Sequence, residues 1–171
     1  VGSTPQLIRT IADAVGKPDA GEALVKRTQE QIDQAKKQIA AWKPAKPMRV
    51  AFLYVRGNAG VFFILGSENG ASELIQGVGA DDVASDKGIT TLVPANAESL
   101  VSINPDAIFV MRDGLASTGG MKGLLARAGV ANTTAGRKQR VISIPDGISL
   151  SFGPQTGEVL TAVAKALYGV K

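Results

Sequence analysis

The 171-residue chain contains no cysteine and no histidine. Without cysteine there is no disulfide, no thiolate metal site and no thiol nucleophile. Without histidine there is no imidazole zinc ligand, no His-dependent triad and no histidine general base. Ser149 and Ser151 therefore have no imidazole to activate them, and the chain reads poorly as an enzyme. Aromatic residues are also few, with five Phe, two Tyr and one Trp, so no base-stacking platform is visible. The net charge of +4 does not restore a nucleic-acid reading. Its basic residues are spread over a helical pattern (Lys26, Arg27, Lys36, Lys37), a linker (Lys43, Lys46) and one turn (Arg137, Lys138, Arg140), as solvated faces are. No apolar run approaches the roughly 20 residues of a membrane-spanning helix. The lack of thiols fits an extracytoplasmic protein.

What is present is an ordinary globular composition, 44% apolar and 20% charged, long enough for one domain with a real core. The opening VGSTPQLIRTIADAVG lacks an initiating methionine and reads as helix almost at once, as a mature, trimmed or partial chain would. Ser3 and Thr4 are candidate caps, Pro5 suits a first turn, Gly16 a stop, and Leu7, Ile8, Ile11, Ala12 and Val15 form an apolar stripe. A long helix is expected over 19–42, with Leu24, Ile32, Ala35, Ile39 and Trp42 on a narrow apolar face. The two prolines of 43–47 mark a linker. Short helices are expected over 71–76, after the cap Asn96, and over 121–128. Phe152-Gly153-Pro154 starts the last helix, with Pro154 near its first position, Val159, Leu160, Val163, Ala164 and Leu167 on its apolar face and Gly169 as its stop. Strands are expected over 50–55, 61–65, 107–111 and 140–144, with an edge strand over 89–93 stopped by Pro94. Asp81, Asp82, Asp86, Asp106, Asp113 and Asp146 all read as turn residues. Strand and helix alternate after the long helix, which predicts an α/β fold with a largely parallel sheet flanked by helices.

The stretch RVAFLYVRGNAGVFFILG, 49–66, organises the rest. Its first apolar run has the length of a fully buried strand and ends in the turn-forming cluster Gly57-Asn58-Ala59-Gly60. Tyr54 stands at the strand's carboxyl end and Arg56 two residues on, so an extended strand puts both side chains on one face. Open α/β sheets keep their ligands at that end. Two readings follow from the residues: a ligand site, or a core tyrosine beside a surface arginine. Neither Gly57–Gly60 nor Gly119-Gly120 has the frame of a dinucleotide or P-loop fingerprint.

Several of these segments together resemble a known family. They are the strand and turn at 49–66, Glu98-Ser99-Leu100 leading to Asn104-Pro105-Asp106-Ala107-Ile108, Gly119-Gly120 with Gly123-Leu124-Leu125, Thr134-Ala135-Gly136-Arg137, and Phe152-Gly153-Pro154. The chain is similar to the C-terminal lobe of a haem-binding substrate-binding protein of an ABC transporter, within the superfamily that also binds siderophores and cobalamin. That resemblance implies a two-lobed protein bridged by one long helix. Residues 1–18 would then be a remnant of the N-terminal lobe, 19–47 the interlobe helix and linker, and 48–171 the C-terminal lobe. It also implies haem (hemin) as the transported ligand, Tyr54 as axial ligand to the haem iron with Arg56 supporting it, and Glu98 as the contact for the ABC permease. The location implied is extracytoplasmic, in a periplasm or lipid-anchored on the outer face of the cell membrane. Phenolate suits ferric iron as a hard anionic ligand, and a guanidinium alongside favours the anion. Gln155 departs from the family, many of whose haem-binding members carry arginine there. A ferric-siderophore or cobalamin lobe is the alternative ligand class, and a non-binding α/β interaction module the alternative of another kind.

Overall fold

The computed structural model describes residues 2–57 and 60–170. Two helices open the chain, α1 (Thr4–Ala14) and α2 (Pro18–Trp42). A sheet and short helices then alternate: β1 (Arg49–Arg56), β2 (Val61–Leu65), α3 (Ala71–Gly77), β3 (Asp81–Asp82), α4 (Val83–Asp86), β4 (Leu92–Pro94), α5 (Ala97–Ile103) and β5 (Ala107–Met111). They continue through α6 (Arg112–Ser117), α7 (Gly120–Leu125), α8 (Thr134–Arg137), β6 (Val141–Ile144) and α9 (Asp146–Ser149) to α10 (Thr156–Tyr168).

The strand order is β4-β2-β1-β5-β6, with β3 pairing to β1 off that path. β1 runs parallel to β3 and β5, and β5 parallel to β6, whereas β2 is antiparallel to both β1 and β4. The sheet is thus largely parallel with one reversed strand, because the turn after Arg56 is too short for a crossover and permits only a hairpin. Successive residues of β1 serve opposite faces. Val50 and Phe52 join a core with α2, α3 and α10, while Ala51, Leu53 and Val55 join a second core with α4, α5 and α7. Helices on both faces are why β1 is apolar along its length rather than alternating.

α2 is one unbroken helix, as its pattern predicts, but its buried stripe is Gly21, Val25, Thr28, Ile32, Ala35 and Ile39. Those positions repeat every three or four residues, whereas Leu24 is rotated about 100° from Val25 and lies only half buried. The stripe expected on α1 also divides. Ile8 and Ala12 are buried against α2, but Leu7, Ile11 and Val15 remain 49%, 56% and 64% exposed. The two helices approach so closely that a Cβ on Gly21 would lie 2.4 Å from Ala12 Cβ.

Four local expectations are corrected. Asp81-Asp82, read as loop, is a short strand beside Arg49 and Val50. Asp82 is buried there, where its carboxylate caps α4 at Ala84 N–H, 3.0 Å away, and accepts a short hydrogen bond from the Ser72 hydroxyl. The edge strand is shorter than 89–93 and includes Pro94 rather than stopping before it, which an outer strand tolerates. Asp113, read as a turn residue, lies in the first turn of α6. The last helix begins at Thr156, beyond Pro154. Asn96 does cap α5, in a reciprocal box with Ser99.

Candidate functional site

The carboxyl ends of β1, β5 and β6 lie side by side, so short segments far apart in sequence meet there. β1 delivers Tyr54 and Arg56 to one face, as the period of two requires. The Arg56 guanidinium carbon sits 5.2 Å from the centre of the Tyr54 ring, within cation–π range. Both side chains are half-buried. Tyr54 is paired across the hairpin with Phe63. Around the same core, Met111, Ile148, Leu150 and Phe152 are half-buried apolar residues from β5 and from the segment after β6. The rim formed by the carboxyl ends of β1 and β5 thus carries one phenol and one guanidinium beside the apolar Met111.

Arg56 crosses the end of β5. Its Nη2 donates to Asp146 Oδ1 at 2.7 Å, in the first turn after β6, and lies 3.6 Å from Met111 Sδ. The second oxygen, Asp146 Oδ2, accepts from the Asp113 backbone N–H at 2.9 Å. For Asp146, partial burial works against ionisation, but the Asp113 N–H and the Arg56 guanidinium outweigh it and hold the carboxyl below the usual aspartate range. The same hydrogen bond to Asp146 raises the pKa of Arg56 above its already high ordinary value. The arginine is therefore a fixed cation at the rim.

The turn after β1 is anchored from two sides. Gly57 N–H donates to Ser117 Oγ at 2.8 Å, and Arg127 Nη2 donates to Gly57 carbonyl oxygen. Arg127 also lies over the Phe62 ring, 4.9 Å from its centre. Gly57 and Gly60 have positive φ, 59° and 61°, and a Cβ on either would meet no atom within 4 Å, so their surface is open. The expectation of close ligand approach along 57–60 falls partly on Asn58 and Ala59, which lie outside the described residues.

Glu98 is exposed in the first turn of α5. That helix belongs to the core on the face opposite Tyr54. Its start follows Pro94, which pairs with Phe63, which in turn pairs with Tyr54, so Glu98 lies near the same edge of the sheet but behind it. The structure thus groups Tyr54 with Arg56 and leaves Glu98 apart. Gln155 is half-buried, and a Cβ on Gly153 would lie 2.9 Å from its Oε1.

Sequence reading missed Asp146, Asp113, Ser117 and Arg127. Asp146 was legible in principle, since a carboxylate directly after a parallel strand belongs at the ligand end of the sheet. Nothing local distinguishes it from the other turn aspartates. Among the described residues no group of three or more acidic, Cys or His side chains could hold a bare metal ion, and no helix is long and apolar enough to cross a membrane.

Comparison with known proteins gives this geometry a context. The chain resembles the crystal structure of the haem-binding protein HmuT at 48% identity and a TM-score of 0.97, covering 99% of this chain and 55% of that one. It resembles the apo form of the periplasmic haem-binding protein RhuT from Roseiflexus sp. RS-1 at 35% identity and a TM-score of 0.91, covering 97% of this chain and 62% of that one. The periplasmic haem-binding protein BhuT, solved with two haems, matches at 31% identity and a TM-score of 0.88, over 98% of this chain and 62% of that one. HmuT has also been solved with alanine replacing a tyrosine, an arginine two positions after it, and a histidine about a hundred positions before that tyrosine. The chain spans little more than half the length of HmuT. No match was found among curated proteins. The family model for periplasmic binding proteins matches residues 2–147, and the chain belongs to the periplasmic binding protein family.

Proposed function

We propose that this chain is the carboxyl-terminal lobe of a haem-binding protein that delivers haem to an ABC permease. It acts by binding and release, not as an enzyme. Haem is the cargo, Tyr54 the ligand to its ferric iron, and Arg56 the cation that favours the phenolate. The observation that carries this reading is the stacking of Arg56 over Tyr54 at the open carboxyl end of β1. The spacing of the pair equals that of the tyrosine and arginine replaced in HmuT. The half-buried apolar residues Met111, Ile148, Leu150 and Phe152 suit the face of a porphyrin.

α2 is proposed as the interlobe brace of 19–47, with 1–18 as the end of the preceding lobe and 48–171 as the binding lobe. The exposed stripe of Leu7, Ile11 and Val15 supports this. With Leu24 and Pro154 it lines an almost wholly apolar groove of about 340 Å³, which a second lobe would cover. A second axial ligand would come from that lobe, since this chain holds no histidine. If Tyr54 corresponds to the tyrosine of HmuT, the histidine replaced there falls upstream of this chain. The exposed Glu98 is proposed as the permease contact. The protein works outside the cytoplasm, in a periplasm or held by a lipid on the outer face of the membrane.

Haem titration of the full-length protein tests the ligand assignment. Tyr54→Phe keeps the ring's packing and removes the ligand oxygen, so the ferric tyrosinate charge-transfer band should vanish. Arg56→Ala should keep the band in a weaker complex. An unchanged spectrum in Tyr54→Phe would place the iron ligand elsewhere.

A further inference from the structure

We propose that Asp146 is a positioning residue for haem retention, holding the Arg56 guanidinium against Tyr54; this rests on Tyr54 being the iron ligand. An arginine side chain has four rotatable bonds and about 2 kcal/mol of rotamer entropy, so one at an open rim does not stay over a neighbouring ring unaided. Here two contacts restrict it, and a glycine makes room for it. Asp146 Oδ1 accepts from Nη2 at 2.7 Å, and Met111 Sδ lies 3.6 Å from the same nitrogen. Gly114 leaves the passage open on the other side: a Cβ there would stand 2.6 Å from Arg56 Nη1 and 2.5 Å from Val55 carbonyl oxygen. Asp146 is itself fixed, because its second oxygen is occupied by the Asp113 N–H at 2.9 Å.

The carboxylate is therefore not a loose counter-ion. It is a rigid acceptor at the start of α9, just past the end of β6, reaching across β5 to a cation mounted on β1. A charge-assisted hydrogen bond of this kind is stronger than a neutral one. Its partner is only 35% exposed and the carboxylate 24%, so water competes for it incompletely. Asp146 holds Arg56 and Arg56 lies over Tyr54, so the influence of Asp146 on haem should pass through the guanidinium.

The test uses the full-length protein loaded with ferric haem, following haem loss to a scavenger apoprotein and the tyrosinate charge-transfer band. Asp146→Ala should lose haem on the order of tenfold faster, the scale of one charge-assisted hydrogen bond, with the band shifted in the same direction as in Arg56→Ala. Asp146→Asn preserves shape and folding but not the charge, and should lose haem several-fold faster. The double variant Arg56→Ala/Asp146→Ala should be no worse than Arg56→Ala, because one residue acts through the other. Parent-like retention in Asp146→Asn, or losses that multiply in the double variant, would overturn the proposal. Tyr54→Phe, run alongside, separates the two failures: a band that survives it refutes the ligand assignment itself, whatever Asp146 does.

Discussion

At Gly157 the long helix α2 approaches the lobe closely, and replacing this glycine with alanine should reverse the usual sign of a glycine-to-alanine change in a helix. Gly157 lies buried in the first turn of α10, and a Cβ there would stand 2.8 Å from both the backbone carbon and the backbone oxygen of Gln31 on α2. Ordinary contacts begin near 3.4 Å, so one helix must shift by several tenths of an ångström. The obstacle is backbone, which cannot rotate aside. Overpacking of this kind costs about 1–3 kcal/mol, against a propensity gain of at most about 1 kcal/mol. The net loss should be on the order of 1–2 kcal/mol, lowering Tm by about 2–8 °C for a domain of this size. Differential scanning calorimetry on the isolated chain measures it directly. Gly147→Ala is the control, since a Cβ there meets nothing within 4 Å and its φ is not positive. A Gly157→Ala protein as stable as the parent, or more so, would refute the close crossing of α2 and α10, and with it the rigid mounting of α2 on the lobe.

Glu98→Ala in the full-length protein should impair haem transport by reconstituted transporter while leaving haem affinity within about twofold, and should barely change Tm, as for an exposed surface residue; equal loss of haem binding would disprove a docking role. The Arg56–Asp146 pair also sets a pH dependence. The native state depresses the Asp146 pKa, so its contribution to stability is present above the ordinary aspartate value of about 3.9 and lost as pH falls through the lower native value. The stability gap between the parent and Asp146→Ala should therefore be constant from pH 7 to about 5 and close below about pH 4, in urea melts. A gap that persists in acid would mean that Asp146 stabilises by packing rather than by charge.

The amino-acid sequence alone determined much of this fold, wherever a single local signal sufficed. The apolar run before Arg56 specified β1, the Asn96 cap began α5, and the five inward residues of α10 are all buried. Period-two geometry placed Tyr54 and Arg56 on one face, and they are in contact. The resemblance in Glu98 to Ile108 and in the tyrosine–arginine pair pointed to the same family that the comparisons support. Tertiary structure decided what depends on partners distant in sequence. Whether Leu24 or Val25 turns inward on α2 is set by where the sheet lies, since both are apolar and adjacent. Asp82 and Asp146 look like the other turn aspartates until the chain brings Ser72 to the one and Arg56, 90 residues away, to the other. Leu7, Ile11 and Val15 belong to an amphipathic pattern that predicts burial, but in this chain only Ile8 and Ala12 find a surface to cover them. A hydrophobic pattern states which side chains gain by leaving water, and only the assembled fold states which of them are given somewhere to go.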